Sequence, residues 1–208
     1  DAVLEDIQLM PADSLSAYSS SRFVIGSITD PLFGTSVSST SFTLVPILDS
    51  IDFGENTKVR QFHLTAVKNS LSVYDESQTR IIQNVYVSEL KIPLDTNTLY
   101  GGTFMIEKNR EKYLDLENRI TDGTPTYDGG DSLSFDFSNE FAKSFIERFR
   151  KLEMPIDSMD LYLRALPGIF ITTDTPANDG GRINLFDLKL EASDSYVTGN
   201  YAELKITA

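Results

Sequence analysis

The chain has no cysteine, which excludes disulfides, thiolate catalysis and cysteine-ligated zinc in one step. It has no tryptophan, the best stacking aromatic for a sugar platform. It also has a single histidine, so multi-histidine metal sites are ruled out and any Ser-His-Asp relay must run through His63 or not exist. Basic residues are scarce, 18 Lys and Arg against 31 Asp and Glu, and the resulting formal charge of -13 repels phosphate backbones and anionic headgroups. Nucleic acid is therefore not an expected partner. No stretch reaches the roughly 20 apolar residues of a membrane-spanning helix, and no basic segment followed by an apolar one opens the sequence. A secreted form would have had its targeting segment removed upstream of Asp1.

What is present is 40% apolar residues and 11% aromatics over 208 positions, enough to bury a core and offset the entropy of ordering. The dominant pattern is period-two alternation in short runs parted by Gly, Ser, Asn and Asp, the pattern of strands with one face on a core. Phe42, Leu44 and Pro46 line one such face. Phe62, Leu64 and Ala66 point one way while His63 and Thr65 point the other, which puts His63 on a polar face rather than in a cleft. Leu71 and Val73, Asn84 to Leu90, Leu133 to Phe137, Gly168 to Thr173, Arg182 to Leu190, and Ala202, Leu204 and Ile206 repeat the pattern. Nine or ten short strands follow. The expected fold is mainly β, an antiparallel β-sandwich of jelly-roll type, as one domain over residues 1–208.

One helix stands out. Ser138 is placed as its N-cap, and Phe141, Phe145, Phe149 and Leu152 recur at spacings of three and four. Glu140 near the start and Arg148, Arg150 and Lys151 near the end suit the helix dipole, and Pro155 stops it. After Asp157 the residues Leu161, Ala165 and Leu166 favour a short second helix over the strand that Leu161 and Leu163 would allow. Between residues 97 and 130 the alternation weakens into an irregular charged excursion. Its run from Glu107 to Arg119 mixes attractive and repulsive pairs and supports at best a solvated, marginal helix through Tyr113, Leu114 and Leu116.

The stretch Ser21 to Gly34, SRFVIGSITDPLFG, closes on Asp30-Pro31-Leu32-Phe33-Gly34. In this it resembles the domain-of-unknown-function 4270 family of Bacteroidota lipoproteins, whose pattern is a strand ending in Gly, a few polar residues, then Asp-Pro-apolar-Phe-Gly. Later segments fall in the family's order. Asn84 to Leu90 with Pro93, Leu94 and Tyr100 is similar to its "VYEL" strand and following Tyr; Leu133 to Phe149 is similar to its strand and amphipathic helix. Leu161 to Ile171 resembles its short helix and "KGLYI" strand, and Gly180 to Leu188 its Gly-rich turn and strand. The resemblance implies an extracytoplasmic lipoprotein, processed from a signal peptide and lipid-anchored at the outer membrane or cell surface. It brings no catalytic residues with it.

The chemistry of the Asp-Pro element is that of a turn. Asp30 accepts from amides just ahead, Pro31 fixes φ, Gly34 takes a left-handed conformation, and Phe33 is expected to plug the core beneath. Calcium is the one ion an acidic, oxygen-rich chain suggests, and Thr172 to Gly181 clusters Asp, Asn and Gly, but its spacing matches no calcium loop and reads as a solvated hairpin loop. Tyr100, Tyr113 and Tyr127 lie in or near the irregular region and could form a sugar-binding surface, although tyrosines in such positions more often simply cover the sheet. No residue is assigned a catalytic, cofactor-binding or metal-binding role. The expected function is a noncatalytic envelope module that binds a protein or glycan partner or serves structurally. The alternative is a carbohydrate-binding module or a glycoside hydrolase built on two carboxylates.

Overall fold

The computed structural model describes residues 22–44, 53–69, 81–94, 110–152, 163–166, 168–187 and 201–207. In chain order these carry β1 (Arg22–Asp30), β2 (Gly34–Ser38), β3 (Thr40–Phe42), β4 (Lys58–Val67) and β5 (Gln83–Leu90). Then come α1 (Arg110–Tyr113), β6 (Leu114–Arg119), β7 (Thr126–Tyr127), β8 (Ser132–Asp136) and α2 (Asn139–Arg150). β9 (Ile169–Thr173), β10 (Gly180–Asp187) and β11 (Tyr201–Thr207) complete them. The fold is mainly β, antiparallel throughout its strand pairs and β-sandwich-like. Pro46, Leu71, Val73, Tyr100, Pro155 and Leu161 lie outside the described residues.

Three sheets share the core. Their strand orders are β10-β1-β2, β11-β4-β8 and β3-β9-β5-β6, with β7 pairing the start of β5. Only Ser39 separates β2 from β3, so the chain leaves β1 and joins β9 within one residue. Isolated bridges, Lys68 with Phe186 and Thr121 with Phe137, tie the corners where the sheets meet. The main buried cluster draws Phe23 and Ile25 from β1, Phe62 and Leu64 from β4, and Val85 and Val87 from β5, together with residues of β8, β9, β10 and α2. Phe42 and Leu44 pack against its margin.

The helix follows from its sequence. The Ser138 hydroxyl accepts the Phe141 amide at 3.2 Å, satisfying one of the orphan donors of the first turn. Phe141, Phe145 and Phe149 are buried, and the first two meet Phe62 of β4 with ring centroids 5.9 and 5.4 Å apart. On the flank, Arg148 forms a forked ion pair with Glu89 of β5, one arm of which spans 3.0 Å. The helix is thus fixed both to the β4 sheet and to the β5 sheet. Residues 163–165 are helical, within the segment read as a second short helix.

The charged run from Glu107 differs from its sequence reading. Its described part holds one helical turn, Arg110–Tyr113, and then extends as β6 beside β5. Tyr113 and Leu114 are buried with Leu90 and Phe170 in a second, smaller cluster. These apolar residues had a use that local charge spacing does not reveal: β9 is apolar on both faces, with Ile169, Phe170 and Ile171 in succession, and its outer face needs a cover. The amide of Lys91 donates to the Tyr113 carbonyl at 2.9 Å and holds that cover in place.

Candidate functional site

The β1–β2 hairpin carries the Asp-Pro element. Asp30 pairs with Gly34 across the loop, and one carboxylate oxygen accepts the amides of Leu32 at 2.8 Å and Phe33 at 2.9 Å. Gly34 sits at φ 78°, the left-handed conformation the turn requires. These parts of the sequence reading hold. The placement of Phe33 does not: the residue is 89% exposed and Leu32 86%, so neither side chain plugs a core beneath the hairpin tip. Residues 34–37 of β2 are exposed as well, Val37 among them, and the buried part of the hairpin is the first half of β1. The element presents an aromatic and an aliphatic side chain on a backbone held by hydrogen bonds.

His63 lies on the polar side of β4 opposite Asp136 of β8, with 2.7 Å between its Nδ1 and Oδ1 of the aspartate. Gln61 donates to the same oxygen at 3.0 Å. Both members of the pair are partly open to solvent, which makes this a cross-strand polar contact on a sheet surface.

The loop between β9 and β10 joins two different sheets, so it is a crossover and not the hairpin that its composition suggests. Asp174 at its start turns towards β5, accepting the Asn84 amide at 3.0 Å and the Asn84 side-chain amide at 2.8 Å. Asp179 is exposed. No cluster of three metal-ligating side chains occurs among the described residues. The partly buried carboxylates among them are each tied to protein groups: Asp30 to its own turn, Glu89 to Arg148, Asp174 to Asn84, and Asp187 to Asn69 and Arg22.

A polar network that sequence reading missed runs under the β1–β10 pair. Arg182 and Asn184 point inward from β10, and the Arg182 Nε donates to Asn184 Oδ1 at 2.7 Å. The guanidinium also donates to the carbonyls of Asp128 at 2.9 Å and Tyr127 at 3.1 Å, and stands 5.3 Å from the centre of the Tyr127 ring. Asn184 donates to Gln83 Oε1 at 2.8 Å, and Gln83 returns a bond to the Arg182 carbonyl at 2.9 Å. Burial lowers the pKa of Arg182, opposed by Tyr127 and Asp128. Burial pushes the Tyr127 phenol up to about 12, with Arg182 pulling against it and Asp128 and Asp131 adding to the rise. The network links β5, β7, β1 and β10, and its polar groups satisfy one another.

Tyr127 is therefore buried in this network and Tyr113 in the small cluster, so neither forms a sugar platform; Tyr100 is outside the described residues. Among the described residues no helix is long and apolar enough to cross a membrane. No family model, no curated protein and no solved structure matches the chain.

Proposed function

We propose that this chain is a noncatalytic binding module of a bacterial envelope lipoprotein, and that it engages a protein partner through the β1–β2 hairpin. The observation that carries the reading is the paired exposure of Leu32 and Phe33 on a turn held by Asp30. Large apolar side chains shown singly on a surface need no explanation, but two adjacent ones on a pre-ordered tip have the form of an interface anchor. The extracytoplasmic, lipid-anchored setting rests on the Asp30-to-Gly34 motif and the ordered segments that resemble the Bacteroidota family. The carboxylate-hydrolase reading has no observation in its favour, since each partly buried carboxylate among the described residues is engaged by a protein group.

The test is a binding screen of the purified domain against a glycan panel and against envelope proteins, with and without calcium. The same screen is run on the Leu32→Ser/Phe33→Ser variant. Saturable binding of one envelope protein, lost in the variant and indifferent to calcium, is the expected result. Binding of a glycan, or a protein partner retained by the variant, would displace the hairpin as the site.

A further inference from the structure

Edge strands in folded proteins are normally guarded by charge, proline, a bulge or a covering element, because their unpaired amides and carbonyls accept any strand that arrives. Among the described residues β2 has none of these guards. Among the described residues it pairs with β1 alone, and its register with β1 is continuous from Gly34 to Ser38. Its sequence, Gly-Thr-Ser-Val-Ser, contains neither charge nor proline. The lack of charge extends well beyond the strand. Residues 31–48 carry no charged side chain, and at the chain's average of 24% charged residues a run of that length would hold about four.

An antiparallel neighbour uses only alternate residues of β2, so the remaining backbone groups face away from β1. Along the face shared with Thr29, the hydroxyls of Thr29 and Thr35 lie 3.0 Å apart, and exposed Val37 continues that face, while Leu32 and Phe33 stand at the strand's beginning. Backbone groups for pairing and apolar side chains for selection therefore occur on one short element, the combination used in strand addition.

The sign of the partner follows from electrostatics. The chain carries -13 and has no Lys or Arg between Arg22 and Lys58, so a second copy or an acidic segment meets repulsion around an otherwise neutral edge. The same absence of basic residues disfavours a membrane surface, where apolar tips are ordinarily supported by cationic neighbours. Resting on the binding-module reading above, we infer that the partner donates an extended segment with an uncharged centre and basic flanks, which adds as a strand to the free edge of β2.

The probe is a ten-residue peptide alternating Val and Thr with Lys at both ends, compared with the same peptide ended in Glu. Amide exchange and chemical shifts of the full chain are followed during titration. The expected result is slowed exchange at alternate residues within 34–38 and binding at least fivefold tighter for the Lys-ended peptide. Ser36→Pro and Val37→Pro form the control pair. One of these neighbours directs its N–H away from β1, so one variant leaves the hairpin ladder intact and should lose peptide binding at least tenfold. Protection elsewhere, or full binding by both proline variants, overturns strand addition. Equal binding of the two peptides overturns the basic-flank assignment. Protection of the same amides that grows with protein concentration alone assigns the edge to a second copy, and retention on phosphatidylcholine vesicles without peptide binding assigns the tip to a membrane; either overturns the proposal. Loss of the envelope partner in Leu32→Ser/Phe33→Ser but not in the folded proline variant leaves the module reading standing without strand addition.

Discussion

A carboxylate oxygen of Asp30 accepts the backbone amide of Phe33 at 2.9 Å, so the most exposed aromatic ring of the hairpin is displayed by a bond reaching back to the preceding strand. Asp30→Ala removes this acceptor and the one for Leu32, and about 1 kcal/mol of stability should be lost in urea denaturation. Asp30→Asn retains an acceptor oxygen and should lose less than half of that. A fully stable Asp30→Ala protein with impaired partner binding would make the residue a contact rather than a brace.

Arg182→Leu should cost about 3 kcal/mol, since it leaves the Asn184 side chain and two carbonyls in the network without their donor. Arg182→Lys should recover only part of the loss, because an ammonium cannot reproduce the planar fork. Combining Arg182→Leu with Asn184→Leu should cost clearly less than the two single losses together, as expected for members of one network. Additive losses from denaturant midpoints would show that the two side chains act separately.

Gly26 has φ 140°, and a Cβ built on it would lie 2.1 Å from the Arg182 carbonyl oxygen. Gly26→Ala must therefore distort β1 or push β10 away, at a cost of at least about 3 kcal/mol. Gly34→Ala is the control. Its φ of 78° carries strain, but a Cβ there meets nothing within 4 Å, so the loss should be near 1 kcal/mol, roughly the left-handed penalty alone. Similar melting temperatures for the two variants would refute the close-approach argument.

Tyr127 supplies a test by titration. Its phenol ionises at about 12 when folded, against an ordinary value of 10.0, with burial as the leading cause. Between these values the unfolded chain releases a proton that the folded chain keeps. Stability from this group is thus fully present below pH 10 and is lost as pH rises towards 12. Ultraviolet difference titration should show one tyrosine ionising late, together with unfolding, and Tyr127→Phe should remove that step. An ordinary titration of every tyrosine would contradict the buried placement.

The parts of the fold legible in sequence are those fixed by nearby residues. Phe141, Phe145 and Phe149 with Ser138 define α2 because period and cap are both local, and Asp30 defines its turn because the amides that donate to it are two and three residues ahead. The exposure of Phe33 is not legible in sequence, because an apolar residue in a turn is buried only if something lies under it, and that depends on how far the hairpin projects. The inward face of β10 was hidden for a related reason. Alternation there draws attention to Ile183 and Leu185, yet Arg182 and Asn184 take the buried side through partners 54 to 159 residues distant. Tyr113 and Leu114 were obscured by the charges around them, and only the bare outer face of β9 explains their burial.

The most direct measurement places a photoreactive phenylalanine analogue at position 33 of the protein in intact cells. The control carries the same group at Glu147, on the solvent face of α2. Crosslinked proteins are identified by mass spectrometry. The expected result is a discrete adduct with one envelope protein from position 33, absent from position 147 and mapping to an extended segment with basic flanks. Adducts from position 147 alone, or an equal spread of products from both positions, would contradict recognition by the hairpin.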